Sequence, residues 1–122
     1  MAPSAIQAAA PASERPIRVM IVDDSMIART ATRRALAGVA GIEIVSSVGD
    51  GKAAVDTVVN AAPDVLLLDI EMPIMDGIEA LPLLMRRRPK LKVVMVSTLT
   101  RRNAEISMKA MRAGAVEVLL KP

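Results

Sequence analysis

The sequence predicts an α/β domain in which a parallel sheet of five strands is covered by helices on both faces. Two observations support this prediction. Short apolar segments alternate four times with segments of helical spacing, and a fifth strand-like segment follows. This alternation is typical of a doubly wound sheet with right-handed crossover connections. The expected order of five such strands is 2-1-3-4-5.

Composition limits the class of protein. A chain of 122 residues that is 52% hydrophobic can build one globular core. It has no apolar run of about 20 residues and no N-terminal signal pattern, so we expect a cytoplasmic protein without a membrane partner. His, Cys and aromatic residues are absent, which excludes Ser-His-Asp catalysis, His or thiolate metal sites and aromatic stacking of bases. With a net charge of only +3, we expect no direct nucleic-acid partner.

Turn residues and apolar spacing define the elements. Residues 1–16, rich in Ala, Pro and Ser, are expected to be a disordered leader, and residues 17–122 the folded domain. The predicted strands are Ile17–Val22, Ile42–Val48, Asp64–Leu68, Leu91–Val96 and Ala115–Leu120. The predicted helices are Met26–Ala37, Lys52–Ala61, Ile78–Arg87 and Asn103–Arg112. Five strands joined in this way indicate a flavodoxin-like domain.

The first helix should be amphipathic. Asp24 or Ser25 can cap it, and its arginines fit a solvent-facing side. The residues that could supply its buried side are Ala28, Ala31, Ala35, Leu36 and Val39. We therefore expect this helix to pack one apolar side against the sheet.

A sheet of this type normally continues into a fifth helix, which this sequence does not include. We therefore expect a domain truncated after its fifth strand, with the final helix missing. One face of the sheet should then expose apolar side chains, and such a patch favours self-association.

The segment LLLDIEMPIMDG, residues 66–77, carries the clearest sign of a functional site. Its apolar run reads as a strand buried on both faces, and Asp69 comes at the carboxyl end of that strand. Open α/β sheets bind their ligands at this edge. Pro73 and Gly77 then form a loop that leads into a helix. The sequence thus predicts an acid held at the end of a rigid element.

Other strand ends carry polar residues too. Asp23 and Asp24 follow the first strand, Ser97 the fourth and Lys121 the fifth. Because the carboxyl ends of parallel strands meet at one edge, we expect these side chains to converge on Asp69. Three carboxylates repel one another and favour a hard cation, Mg²⁺ before Ca²⁺. The hydroxyl and the ammonium group could bind a phosphoryl group beside that ion.

A carboxylate in such a site can attack phosphorus and form an aspartyl phosphate. Asp69 is the favoured nucleophile because it stands alone on the central strand, and Asp23 and Asp24 are the favoured metal ligands. Taken singly, these residues favour simpler roles: helix capping for the acid pair, a turn for Ser97 and a solvated charge for Lys121. Their expected convergence at one edge of the sheet instead favours the functional roles over these simpler ones.

These motifs resemble the receiver domain of bacterial two-component response regulators. The resemblance covers residues 18–122 and is carried by VDDS at 22–25, LLLDIEMPIMDG at 66–77, VMVST at 94–98 and the final Lys121-Pro122. The segment VMVSTLTRRNAEISMKAM, residues 94–111, is more narrowly similar to the receiver of the chemotaxis protein-glutamate methylesterase.

The resemblance implies a role for each site residue. Asp69 would accept a phosphoryl group, Ser97 would be the switch hydroxyl and Lys121 its partner at the phosphoryl group. Mg²⁺ would be held by Asp23, Asp24, Asp69 and the backbone carbonyl of Glu71. The donor would be a histidine of a partner kinase. In the methylesterase family the receiver covers a C-terminal catalytic domain until it is phosphorylated, so this chain is expected to be a regulatory domain and not itself an enzyme.

Two other functions stay open at this point. One is a Mg²⁺-dependent phosphohydrolase with an aspartate nucleophile, although such enzymes usually have Asp two residues later, where this chain has Glu71. The other is an interaction domain that is not phosphorylated. Thr98 also competes with Ser97 for the hydroxyl role, and Val118 stands where many receivers carry an aromatic residue.

Overall fold

The computed structural model describes residues 15–98 and 100–121, so nearly all of the predicted leader lies outside the described residues. Strands and helices alternate strictly along this part of the chain. The strands are β1 (Ile17–Val22), β2 (Ile42–Val48), β3 (Val65–Asp69), β4 (Lys92–Ser97) and β5 (Glu117–Leu120). The helices are α1 (Met26–Ala37), α2 (Gly51–Ala61), α3 (Gly77–Arg87) and α4 (Arg101–Ala113).

The five strands form one parallel sheet in the order β2-β1-β3-β4-β5. The predicted fold class and strand order are therefore confirmed, with four helices among the described residues. The central position of β3 places Asp69 between the ends of β1 and β4. None of the described helices is long and apolar enough to cross a bilayer.

Each helix begins at a side chain that accepts a hydrogen bond from a backbone N–H three residues later. These capping residues are Ser25, Asp50, Asp76 and Thr100. Helix α4 begins at Arg101 and not at the predicted Asn103, because the threonine cap places the helix start immediately after it. Helices α2 and α3 likewise begin at the glycine that follows each aspartate cap, one residue earlier than predicted.

The hydrophobic core lies on one face of the sheet, which we call the covered face. Its strand residues are Met20, Val22, Leu66, Leu68, Val93 and Met95, all fully buried. Helices α2, α3 and α4 supply the other half of this core with Ala54, Val55, Val58, Ala80, Leu81, Leu84 and Ala110. The alternation of side chains along each strand sends the intervening residues to the opposite face.

The opposite face carries helix α1, and we call it the α1 face. Its strand residues include Ile21, Leu67, Val94 and Val96, which alternate with those of the covered face. No residue of α1 is buried. Ala28 and Leu36 are half-buried, and the other three residues of the predicted buried side are exposed. The prediction of a buried helix side was therefore wrong, because α1 packs loosely over β1 and β2.

Apolar side chains are exposed around β5, at the edge of the sheet. Val116, Leu119 and Leu120 are each about half exposed. Leu119 pairs with Val96 and belongs to the α1 face. Self-association through this face remains a prediction.

Candidate functional site

The acids of the candidate site come from two neighbouring strands. Asp23 follows β1, and Asp69 is the last residue of β3. Both are buried, whereas Asp24 is exposed. One carboxylate oxygen from each of the three acids lies within 4.8 Å of the others. The structure thus brings these residues together at the carboxyl edge of the sheet.

Lys121 closes the site from the end of β5. Its Nζ lies 3.1 Å from Asp23 Oδ2 and 3.2 Å from Asp69 Oδ1, so one ammonium group contacts two carboxylates. Its backbone N–H donates to the carbonyl of Ser97 at 2.7 Å. This hydrogen bond extends the pairing of β4 and β5 by one residue, and so it positions the backbone of Lys121 beside the end of β4.

Burial and neighbouring charges shift the pKa values of Asp69 and Lys121. Burial raises the pKa of Asp69 to about 6, and the negative charge of Asp23 adds to this effect while Lys121 opposes it. For Lys121, burial lowers the pKa, but the hydrogen bond to Asp23 and the charge of Asp69 outweigh it and leave the pKa raised. At neutral pH the site therefore holds an ionised carboxylate beside a charged ammonium group.

Glycine is required where α3 begins against the end of β3. A Cβ at Gly77 would collide with the carbonyl oxygen of Asp69 and lie 3.1 Å from the Cα of Ile70. The N–H of Gly77 donates to the carbonyl of Ile70 at 2.8 Å. This close approach holds the loop of residues 70–76 tightly under the acid.

Ser97 is buried at the end of β4. Its Oγ donates to the carbonyl of Thr98 at 3.1 Å, and no hydrogen bond joins it to the acids among the described residues. Thr98 is exposed, and its Oγ1 accepts a hydrogen bond from the amide of Asn103 at 3.0 Å. The buried hydroxyl of Ser97 is thus held in a local contact, while that of Thr98 faces the start of α4.

The side chain of Glu71 lies away from the acid cluster. It is exposed, and its Oε1 accepts a hydrogen bond from Asn103 Nδ2 at 3.0 Å. The predicted metal ligand at this position is the backbone carbonyl, which this contact leaves unengaged. Val118, at the position of the missing aromatic residue, is half-buried and packs against the core.

Sequence reasoning missed two residues that support the site. The sequence predicts Arg29 on the solvent side of α1, but its Nη1 donates to the backbone carbonyl of Asp23 at 2.6 Å. It predicts Asn103 only as the start of a helix, but the buried side chain of this residue joins two loops of the site. The motif pattern carries no signal for either, because both contacts depend on where separate elements meet.

The acid cluster fits a magnesium ion. Its donors are carboxylate oxygens, which Mg²⁺ prefers, and it lacks the nitrogen and sulphur ligands of a zinc site. The exposed position of Asp24 opens one side of the cluster to water. Mg²⁺ keeps several waters in protein sites, so this partly open arrangement suits it.

The fold and site define a regulatory α/β domain of the two-component type, and the chain belongs to the response regulator receiver domain family. The model of this family matches residues 19–122. Within the family, the chain is a receiver of the kind found in chemotaxis methylesterases. It is 52% identical over 107 residues to protein-glutamate methylesterase/protein-glutamine glutaminase 1 of Rhodospirillum rubrum.

That match covers 88% of this chain and 28% of the relative. The chain therefore spans less than a third of the length of this methylesterase and matches its receiver domain. The resemblance to the methylesterase subfamily is confirmed, and the family match identifies residues 19–122 as a receiver domain, which is a regulatory domain.

Solved structures agree with this assignment. The response regulator domain of Thermotoga maritima CheB is 41% identical, with a TM-score of 0.82 over 88% of this chain and 80% of that chain. The CheX-CheY-BeF3-Mg+2 complex from Borrelia burgdorferi gives a TM-score of 0.77 at 30% identity, over 92% of this chain and 83% of that one. Both likenesses cover most of this chain.

Proposed function

We propose that this chain is a phosphoacceptor switch, in which Asp69 receives a phosphoryl group with the help of Mg²⁺. The observation that carries the proposal is the double contact of Lys121 Nζ with Asp23 and Asp69, inside a cluster of three carboxylates. A cation fixed between the nucleophile and the acid pair can offset the charge of an incoming phosphoryl group.

Asp23, Asp24, Asp69 and the backbone carbonyl of Glu71 would hold the ion. When bound, Mg²⁺ supplies positive charge to the phosphoryl oxygens and orients them. Without the ion, burial raises the pKa of Asp69 to about 6, so its carboxylate is ionised at neutral pH and available to attack phosphorus.

The transfer step forms one bond and breaks another. A carboxylate oxygen of Asp69 attacks phosphorus in line with the P–N bond of a phosphohistidine. That bond breaks, its electron pair stays on the imidazole nitrogen, and an acyl phosphate forms on Asp69. Lys121 Nζ, already 3.2 Å from Asp69 Oδ1, can then bind a phosphoryl oxygen.

Ser97 would couple the phosphorylation of Asp69 to a movement of the loop between β4 and α4. Its hydroxyl donates to the carbonyl of Thr98 in this structure. An aspartyl phosphate carries roughly two negative charges in place of the single charge of the carboxylate, together with three acceptor oxygens, and the Ser97 hydroxyl can turn to bind one of them. The loop between β4 and α4 would move with it.

A histidine kinase would be the phosphoryl donor. Three exposed apolar side chains follow the site acids in the sequence: Met26, Ile27 and Ile74. Each is more than two thirds exposed, and such residues suit contact with a second protein. The Borrelia complex of similar fold contains BeF3 and Mg+2, which supports phosphoryl chemistry with Mg²⁺ in this chain as well.

In the longer protein, the phosphorylated receiver would act on a C-terminal effector domain, the methylesterase of its relatives. We propose that the unphosphorylated domain covers that effector and that phosphorylation relieves the block. A cytoplasmic location remains a prediction.

A phosphohydrolase is the less favoured alternative. Its general acid would have to come from Glu71, but the Glu71 carboxylate is exposed and engaged with Asn103. This contact turns it toward α4 and away from a leaving group at Asp69.

The test is phosphorylation by a small donor. We expect the 122-residue chain, incubated with acetyl phosphate and Mg²⁺, to gain the mass of one phosphoryl group in an intact-protein mass spectrum. Asp69→Ala should gain none, and removal of Mg²⁺ with EDTA should abolish the gain in the wild type. Asp56→Ala, which removes an exposed carboxylate paired only with Lys52 among the described residues, is the matched control and should behave as wild type.

An equal mass gain in Asp69→Ala would refute the proposal, as would a wild type that gains nothing. The hydroxyl assignment is tested separately with Ser97→Ala and Thr98→Ala. We expect only Ser97→Ala to change the lifetime of the phosphorylated protein, because Ser97 is the buried hydroxyl at the strand end.

A further inference from the structure

Asn103 joins the two loops that flank the site. It lies in the first turn of α4 and is almost completely buried, with 2% of its surface exposed. Its Nδ2 is 3.0 Å from Glu71 Oε1, in the loop after β3. The same nitrogen is 3.1 Å from the carbonyl of Thr98 and 3.0 Å from Thr98 Oγ1, in the loop after β4.

The surroundings determine which way the amide points. The Glu71 carboxylate and the Thr98 carbonyl can only accept hydrogen bonds, so the nitrogen must face them. The amide oxygen is then left buried, and it accepts no hydrogen bond from the described residues. A buried polar atom without a partner is unfavourable, so the bridge forms at some expense to local stability.

The bridge and Ser97 share one acceptor. The carbonyl of Thr98 accepts hydrogen bonds from both Ser97 Oγ and Asn103 Nδ2. We expect a movement that carries the Ser97 hydroxyl toward Asp69 to displace the adjoining Thr98, because the two residues are hydrogen-bonded as well as adjacent in the chain. Glu71 lies in the loop after β3 and would not move with Thr98. After that movement, the Asn103 amide could not keep its hydrogen bonds to both Glu71 and Thr98.

We propose that Asn103 is a positioning residue that holds the loop after β4 in its resting arrangement by tying it to Glu71. The phosphoryl-bound state is reached when this bridge opens. The Asn103 bridge therefore favours the resting state and sets how tightly the site binds a phosphoryl group. This inference rests on the proposed function, because it concerns the switch that Asp69 would drive.

The test uses beryllofluoride, a mimic of the phosphoryl group, titrated by calorimetry into the 122-residue chain at saturating Mg²⁺. We expect Asn103→Ala to bind beryllofluoride about three- to tenfold more tightly, since the resting state loses hydrogen bonds that the bound state lacks. Its affinity for Mg²⁺ alone should stay within about twofold, because Asn103 makes no described contact with the three carboxylates.

Ser107→Ala is the matched control on the same helix. Ser107 Oγ donates to the backbone carbonyl of Asn103 at 2.7 Å and makes no described hydrogen bond to either loop. Its loss should leave beryllofluoride affinity unchanged. A merely structural role of Asn103 would instead lower stability and leave binding equal or weaker.

A second pair of variants covers the case in which Asn103→Ala does not fold. Glu71 is exposed, so its replacement should preserve the fold. Glu71→Ala and Glu71→Gln both remove the charge, but glutamine keeps an acceptor for the Asn103 amide. We expect Glu71→Ala to bind beryllofluoride more tightly than Glu71→Gln.

Equal binding by the two Glu71 variants, or unchanged or weaker binding by a folded Asn103→Ala, would overturn the Asn103 bridge alone. A wild-type chain that binds no beryllofluoride would overturn the proposed function, and the bridge with it.

Discussion

The two faces of the sheet differ in how completely they are buried. On the covered face, Leu66 and Leu68 of β3 are fully inaccessible beneath α2, α3 and α4. On the α1 face, Val65 and Leu67 of the same strand are only partly buried. The helix on this face, α1, packs over β1 and β2 and has no buried residue. Successive side chains of β3 thus alternate between a tightly packed core and a more thinly covered face.

The comparison shows how the site combines rigidity with access. By strand alternation, Asp69 belongs to the same face as Leu67, and Asp23 to the same face as Ile21. The buried acids therefore continue the thinner layer, whereas Ser97 continues the covered face after Met95. The packed core holds the strand ends in place, while the two buried acids lie on the more thinly covered side of the sheet, where the proposed ion and phosphoryl group would bind.

The largest expected effect comes from truncating adjacent leucines of β3. Leu68→Ala should lower the free energy of unfolding by about 4 kcal/mol, because it opens a cavity in the covered face. Leu67→Ala should lower it by about 2 kcal/mol, since its surroundings are partly solvated and can relax. Urea unfolding followed by far-UV circular dichroism measures both. Equal losses would show that the two faces are packed alike.

The second largest expected effect on the free energy of unfolding comes from the buried charge of Asp69. Its pKa is raised in the folded protein to about 6 from 3.8, so the native state binds a proton more readily than the unfolded chain between these values. Wild-type stability therefore falls as pH rises through this window and stays lower above pH 6. In EDTA, Asp69→Asn should be more stable than wild type by about 2 kcal/mol at neutral pH.

That difference should shrink as the pH falls through about 6 and be nearly absent below about pH 4. Unfolding titrations at a series of pH values measure it, with Asp56→Asn as the exposed control. A stability gain that does not vary with pH would show that the desolvated charge of Asp69 is not its source.

Removal of a helix cap should lower the free energy of unfolding by a smaller amount, and the loss should differ between the two faces. Asp76 caps α3, which packs on the covered face, and forms a capping box with Glu79. Asp76→Ala should lower the free energy of unfolding by about 1.5 kcal/mol. Ser25→Ala, at the start of α1, should lower it by about 0.5 kcal/mol, because an exposed helix can fray without opening the core.

Amide hydrogen exchange distinguishes the two cases. We expect Ser25→Ala to speed exchange within α1 alone and Asp76→Ala to speed it throughout the core. Global destabilisation by both variants would mean that α1 contributes to the core after all.

The smallest expected effect is weak self-association through the α1 face. Leu119 is half exposed on this face, in the apolar edge strand β5. We expect the sedimentation coefficient of the wild type to rise with concentration and that of Leu119→Lys to stay constant. A wild type that sediments as a monomer at all concentrations would contradict self-association.

Much of this domain could be predicted from local patterns. Strands β1 and β2 begin and end as predicted, because their apolar runs are bounded by turn residues. The start of α4 was missed by two residues, since Thr100 was not recognised as its cap. The buried side of α1 was predicted from its apolar spacing, but spacing alone does not reveal whether anything packs against a helix.

The sequence by itself determined the strand order and the meeting of Asp23, Asp24, Asp69 and Lys121 at one edge. It could do so because parallel strands joined by right-handed crossovers bring their carboxyl ends together. Only the tertiary structure decided that Lys121 contacts two acids, that Arg29 supports Asp23, and that Asn103 ties Glu71 to Thr98. These contacts depend on distances of about 3 Å between side chains on separate elements, and no local pattern encodes such distances.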